Sequence, residues 1–255
     1  MSATNLALRD TSTMIGRSVR RSTREIDTLL LSILLPVMVM ALFVYVFGGA
    51  ITPEGGYVDY VVPGVILLCA GYGAAQTAVA VAGDMAEGIV DRFRTLPILP
   101  SSVLVGHVVA SLARNTVSTV CVVGVAYAVG FRPTAGSLEW LAAAGVVLLF
   151  VLGFSWLSVC VGLVAGSAES ASGFTFFVLF LPYVSSAFVP TETMPRALHA
   201  FAEHQPVTPV IETLRGLLMG TPNDAAWLAV AWCAGLAVVG AVGAAVLFGR
   251  RGRAR

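Results

Sequence analysis

Lysine does not occur in this sequence; all fifteen basic residues are arginine. That excludes a phosphate-cradling loop of the G-x-x-x-x-G-K-[ST] type, whose lysine reaches the phosphates. If ATP powers this protein, another chain binds it. Charge of either sign is scarce, at 11% of residues. Cys69, Cys121, Cys160 and Cys233 lack the C-x-x-C or Cys/His spacing of a redox or metal site, and each sits inside an apolar run. They read as small buried hydrophobes. No paired acid and base and no metal constellation falls at a common depth, which argues against a membrane-embedded enzyme. Met1 to Asp27 is polar and shows no signal-peptide pattern, so no cleaved leader is expected there. Internal repeats and low-complexity segments are absent too.

What is present is apolar length. The chain is 57% hydrophobic with a mean hydropathy of +0.88, which fits an all-α integral membrane protein. A bilayer core about 30 Å thick needs about 20 apolar residues per helical span. Six spans are expected, near Leu29–Phe47, Val61–Ala82, Val103–Val129, Trp140–Ala165, Phe174–Val189 and Ala225–Phe248. They form one domain over residues 1–255, with an amphipathic segment at 1–28, connections at 83–100 and 190–224, and a basic tail at 249–255. Arginine asymmetry sets orientation, because cytoplasmic flanks carry the excess. Arg9, Arg17, Arg20, Arg21 and Arg24 precede the first span, and Arg250, Arg251, Arg253 and Arg255 follow the last. Both termini are therefore expected in the cytoplasm, with the protein in the cell membrane. Trp140, Trp227, Tyr57 and Tyr60 lie near outer span ends and read as interfacial anchors. Ala74, Ala75, Gly235 and Gly240 suit close helix packing in lipid.

The connection from Gly83 to Pro100 is unusually charged for so greasy a chain, with Asp84, Glu87, Asp91, Arg92 and Arg94. At 100° per residue, Met85, Ile89, Phe93 and Leu96 fall within an arc of about 80°, with the charges roughly opposite. The pattern predicts a short amphipathic helix, ended by Pro97 and Pro100. It reads either as a solvated interfacial connector or as a docking surface. Its mixed charges favour a complementary protein partner over lipid headgroups, which prefer a basic face.

The run from Asp84 to Pro97, followed by Val105-Gly106-His107 and Leu112-Ala113-Arg114-Asn115, resembles the membrane subunits of ABC-2 type exporters. The subgroup it is most similar to is the daunorubicin/doxorubicin-resistance type permease. A second stretch, Phe201 to Pro209 with Glu203, His204, Gln205 and Pro206, continuing through Glu212 and Arg215, resembles the segment such permeases carry before their last span. The resemblance implies a working unit of two permeases, as a homodimer, and two cytoplasmic ATP-binding subunits. Those partners would hold ATP and magnesium, leaving this chain without a cofactor or catalytic residue. The helix between spans two and three would couple to the partner through Asp84, Glu87, Gly88, Asp91, Arg92, Phe93, Arg94, Leu96 and Pro97. There Gly88 would allow close backbone approach, and Phe93 and Leu96 would hold the helix to its own bundle. The N-terminal arginine segment doubles as orientation signal and as an interfacial helix. This chain departs from the family at Ala86 and His107, where relatives often carry basic residues nearby, which bears on which partner it selects.

Other polar positions are fewer. Arg114 lies about 16 Å into the third span, where charge is costly; it reads as a functional group, as a snorkelling side chain, or as paired with Glu169. Gln76, Thr77, Asn115, Ser155, Ser158, Ser185 and Ser186 are candidates for a substrate path or for interhelical hydrogen bonds. Residues 190–224 carry Pro195, Pro206, Pro209 and Pro222, and short helices are expected at Leu198–His204 and Val210–Met219. Such apolar backbone should re-enter the outer leaflet against protein, and Glu203, Gln205, Pro206, Pro209, Glu212 and Arg215 would form an outer gate. His199, Glu203 and His204 have poor metal-ligand spacing. The expected function is export of an amphipathic drug or natural product, in contact with membrane lipid and with no role for nucleic acid. A lipid or lipid-linked glycan is the alternative cargo. An ion-coupled carrier is the alternative of another class, disfavoured because no carboxylate is securely placed within a span.

Overall fold

The second span organises the molecule. In the computed structural model, which describes residues 26–51, 56–88, 102–222 and 224–253, 78% of its most apolar window is buried, against 17% for the first and last spans. The first span is continuous from Leu29 to Ile51, built from α1 (Ile26–Ala41), a π-helical stretch (Leu42–Phe47) and α2 (Gly48–Ile51). The second is α3 (Tyr57–Ala86), the third α4 (Ser102–Val129) and the fourth α5 (Ser137–Val164). After α6 (Ala168–Phe180) come 3-10 turns at Leu181–Val184 and Thr191–Thr193. Two short helices, α7 (Arg196–His204) and α8 (Val207–Met219), precede the final helix α9 (Ala226–Arg253). No strand occurs among the described residues.

Five of these helices are long and apolar enough to cross a membrane. The stretch expected as a fifth span at Phe174–Val189 is instead a shorter apolar helical segment, Ala168–Val184. It begins six residues earlier because Ser167 and Ser170 form a capping box, each hydroxyl accepting from the other's backbone N–H at 3.2 Å. It ends early because Pro182 has no N–H to extend the ladder.

Contacts between helices fix their directions. Ser32 in α1 meets Cys69, and Gly48 lies against Tyr57, so the first and second spans are antiparallel. Within α3, Gly71 faces Phe150 and Val81 faces Gly162, so α3 and α5 run parallel. The α6 segment runs antiparallel to α3: Ala171 packs with Ala78 and Ala82, Val178 meets Gly71, and Ala187 meets Gly64. Gly153 abuts Cys233 and Gly243 abuts Cys160, so α5 and α9 run parallel.

Close approach holds these helices together, since lipid removes most of the hydrophobic drive between them. A Cβ on Gly162 would come within 2.6 Å of Ala78 O, and one on Gly240 within 2.8 Å of Trp156 and Leu157. Ala74 and Ala75 are fully buried. Gly235 differs from expectation, because nothing among the described residues lies within 4 Å of a Cβ there; it sits on the exposed side of α9.

Candidate functional site

Candidate residues gather at both ends and in the middle of α3. At the Asp84 end, α3 runs past its expected boundary and takes in Gly83 to Ala86. The Glu87 N–H bonds Gly83 O at 2.9 Å and the Gly88 N–H bonds Met85 O at 3.2 Å. Gly88 then adopts a left-handed backbone, φ +67°, which ends a helix at low cost only with glycine. Among the described residues, a Cβ there would meet nothing within 4 Å, and Gly88 serves the turn.

Continuation of α3 corrects the expected placement of Asp84 on an exposed polar face. Thr77, Val81 and Asp84 form one buried stripe at helical spacing, and Asp84 is 3% exposed. Its Oδ2 lies 3.2 Å from Nε2 of His107 in the second turn of α4. Glu87 is exposed, and Met85 packs beside Val81 and Leu104. Asp91, Arg92, Phe93, Arg94, Leu96 and Pro97 lie outside the described residues, as does nearly all of the N-terminal segment.

At mid-bundle, α4 presents Ser111, Asn115 and Ser118 on one buried face. The Ser111 and Ser155 hydroxyls are 2.8 Å apart, as are those of Ser32 and Ser118, which ties α4 to α5 and to α1. Asn115 donates through Nδ2 to Ser111 O at 2.9 Å, and its amide occupies the space a Cβ on Gly73 would need. Arg114 donates through Nη2 to Gly73 O at 3.1 Å, a backbone partner that glycine leaves accessible. Gln76 donates to the Tyr72 hydroxyl at 3.0 Å. Ser158 bonds back to Phe154 O and Ser185 to Pro182 O, both local contacts. A crevice of about 230 Å³ lies between α4 and α5, with walls that include Val120, Val123, Ala143, Val147 and Leu148 and with Asn115 and Trp140 among its lining.

At the Tyr57 end, the chain leaves the α-helical ladder after α6 through the Leu181–Val184 3-10 turn, and its carbonyls take side-chain donors. Gln205 donates to Leu181 O and Val184 O. Arg215 donates through Nη2 to Ser186 O at 2.8 Å and to Tyr60 O at 3.1 Å, with its guanidinium 3.9 Å from the Tyr60 ring centroid. The Tyr60 hydroxyl donates to Ser186 O at 3.0 Å and the Tyr57 hydroxyl to Phe188 O at 2.7 Å. Non-helical backbone at membrane depth needs such internal partners. Tyr57 is 4% exposed, so it belongs to this knot rather than to an interfacial belt.

The knot extends further. Thr134 N–H bonds Leu218 O at 3.0 Å, and Arg132 N–H bonds Asp59 Oδ1 at 3.0 Å. The prolines fall where a helix has no use for their missing N–H: Pro195 and Pro206 cap α7 and α8, and Pro209 lies in the first turn of α8. One face of α8 is buried through Val207, Val210, Ile211, Leu214 and Leu218. Glu212 is half-buried on its other side, and burial raises its carboxyl above the ordinary range while Arg215 opposes the shift. Burial also lowers Arg215, against Tyr60 and Glu212. Both line a polar pocket of about 360 Å³ with Thr221, Pro222 and Asp224. Glu203 is exposed, with Oε1 3.5 Å from His199 Nε2, while His204 Nδ1 turns to Ala200 O of its own helix.

Sequence reasoning missed His107 as a partner of Asp84, Gly73 as a partner of Arg114, and both tyrosines of the knot. The signal for Asp84 was the phase of Thr77 and Val81; for the tyrosines, nothing in the local pattern separates a knot from a belt.

A family model described as ABC-2 type transporter matches residues 9–219 of the chain. A "Daunorubicin resistance ABC transporter permease protein" of Streptomyces coeruleorubidus is 31% identical over 191 residues, 74% of this chain and 68% of that protein. A "Probable doxorubicin resistance ABC transporter permease protein" of Mycobacterium tuberculosis is 26% identical over 252 residues, 97% of this chain and 91% of that protein.

Proposed function

Because the chain belongs to the ABC-2 type transporter family, we propose that it is the non-catalytic membrane subunit of an exporter that moves an amphipathic drug or natural product. The energy comes from ATP and magnesium held by two copies of a separate cytoplasmic subunit, and two permease chains complete the unit. The match over residues 9–219 carries the reading. The relatives' names, daunorubicin and doxorubicin resistance permeases, supply the cargo class. The apolar crevice between α4 and α5 suits such a molecule or a lipid acyl chain.

The protein lies in the plasma membrane with six crossings and both termini cytoplasmic. The antiparallel passage of residues 171–187 along α3 supports a sixth, shorter crossing, and the parallel run of α5 and α9 supports it independently. The Asp84 end is then cytoplasmic and the Tyr57 end external. Residues 87–101 dock on the ATP-binding subunit through Glu87, Asp91, Arg92 and Arg94, with Gly88 setting the exit from α3, Phe93 and Leu96 anchoring the helix, and Pro97 ending it. The outer gate comprises α7 and α8, with Gln205, Pro206, Pro209, Glu212 and Arg215 as its seal.

The test is co-purification. Coexpressed with candidate ATP-binding subunits, the wild-type chain should retain one in detergent, and Asp91→Arg with Arg94→Glu should release it. A folded, monodisperse wild-type chain that holds none of them would point to an ATP-independent carrier and return residues 83–100 to a plain connector.

A further inference from the structure

We infer that Asp84 and His107 are a positioning pair that closes the base of the α3–α4 hairpin, so that the second and third spans answer as one body to a partner bound at residues 87–101. This inference rests on the docking proposed above. Its geometry stands on its own: the pair bridges the end of α3 and the start of α4. Asp84 is in the last turn of α3, and His107 is in the second turn of α4. Their side chains are 4% and 13% exposed, and Nε2 and Oδ2 are 3.2 Å apart.

A connection can transmit force to two helices only if they do not splay at its root. α3 offers no continuation of its own, because Gly88 turns the backbone left-handed four residues after Asp84. A load on residues 87–101 therefore reaches α3 at its final turn, where a helix frays most easily. The Asp84–His107 contact passes that load sideways into α4. The same helices are joined further along by Arg114 to Gly73 O at 3.1 Å, and just past the end of α4 the Arg132 N–H bonds Asp59 Oδ1 of α3 at 3.0 Å. The antiparallel register is thus kept from root to far end. Near that far end Tyr60 holds Arg215 of α8, so a shift of the hairpin as one body is felt at the gate.

Apolar side chains at these two positions would also fill the space. A buried polar pair does something that apolar packing does not, since it satisfies its partners at one register only. Its removal takes away a contact made at that register and frees the stems to slide.

The experiment uses the full chain in lipid nanodiscs, alone and with its ATP-binding subunit, as wild type, Asp84→Asn, His107→Gln, and the exchange Asp84→His with His107→Asp. Three quantities are read: retention of the subunit, ATP hydrolysis, and the ATP-dependent change in hydrogen exchange of residues 207–219. Each single variant should keep the subunit and hydrolysis near wild type. Its exchange response at residues 207–219 should fall by about fivefold or more, the low end of ordinary coupling between sites, and the exchange of residues should restore most of it. An undiminished response in the single variants overturns the inference. So does a loss of response that tracks loss of the subunit, which would make the pair a docking element. In the chain alone, faster exchange confined to residues 80–86 and 102–110 is expected in the single variants. Acceleration throughout the bundle, or none, would sink the pair as a local clamp. A wild-type chain that binds no subunit refutes the proposed function instead, and the chain-alone arm still decides the clamp.

Discussion

Arg215 makes the densest set of contacts among the polar residues of the Tyr57 end: two backbone carbonyls, an aromatic face, and Glu212 nearby. Hydrogen bonds from a charged donor are worth about 1.5–3 kcal/mol each, and Ser186 O keeps the Tyr60 hydroxyl as a second donor. Arg215→Ala should therefore cost on the order of 2 kcal/mol or more, seen as a lower Tm in detergent. Glu212 carries a pH dependence. Its carboxyl is raised above the ordinary 4.5 because burial penalises the charged form. The folded protein then binds more protons than the unfolded chain between 4.5 and the raised value, so stability falls as pH rises through that window. The cost of the buried charge is absent below the window and complete above it. Glu212→Gln should accordingly raise Tm at pH 8 and leave it nearly unchanged at pH 4, in thermal scans at the two pH values. An equal gain at both would show that the charge is not the cause.

Single helices show how much tight contact this bundle demands. The α5–α9 interface holds Gly153 against Cys233 O and Gly240 against the Trp156 backbone, with Cys160 Sγ donating to Gly240 O at 3.1 Å. Gly240→Ala must push two backbones apart and should cost about 1–3 kcal/mol. Gly235→Ala, five residues away with open space around it, should instead gain about 0.5–1 kcal/mol from helix propensity. Denaturation of both variants in one detergent is the check, and a similar loss at both would mean that α9 packs otherwise. Elements of this length were legible in the sequence, because long apolar runs between Gly- and Pro-rich connections leave little freedom: α4 starts one residue from its expected position, and α7 two. The start of α6 was not. Ser167 to Ser172 reads as a polar loop until one sees that Ser167 and Ser170 satisfy each other's N–H groups. Asp84 was misplaced because its phase was counted from a new helix, when α3 was still running.

For the whole molecule, the decisive quantity is the number of crossings. Five long helices alone would put the chain ends on opposite sides, whereas the parallel α5–α9 pair requires a return between them, and residues 168–188 run beside α3 in the right sense. The ends should therefore be labelled from the same side. In intact cells, a membrane-impermeant thiol reagent should miss single cysteines placed at Ser2 and Ala254, yet reach one at Thr221 beside the polar pocket. Labelling of only one terminus would remove the sixth crossing. The candidate site was half-legible at this scale: its two charged regions stand out in an apolar chain, but that α3 joins them, with Asp84 at one end and Tyr60 at the other, is a property of three-dimensional packing.

The knot at the Tyr57 end also sets how this bundle can come apart. Past the 3-10 turn that holds Leu181, the carbonyls of residues 184, 186 and 188 are held by side chains of Gln205, Arg215, Tyr60 and Tyr57. A ladder yields a turn at a time, whereas side-chain donors swing away singly and hand each carbonyl to incoming water. The Tyr57 end is thus divided into small reversible steps, and α6 before Pro182 keeps its own hydrogen bonds while they occur.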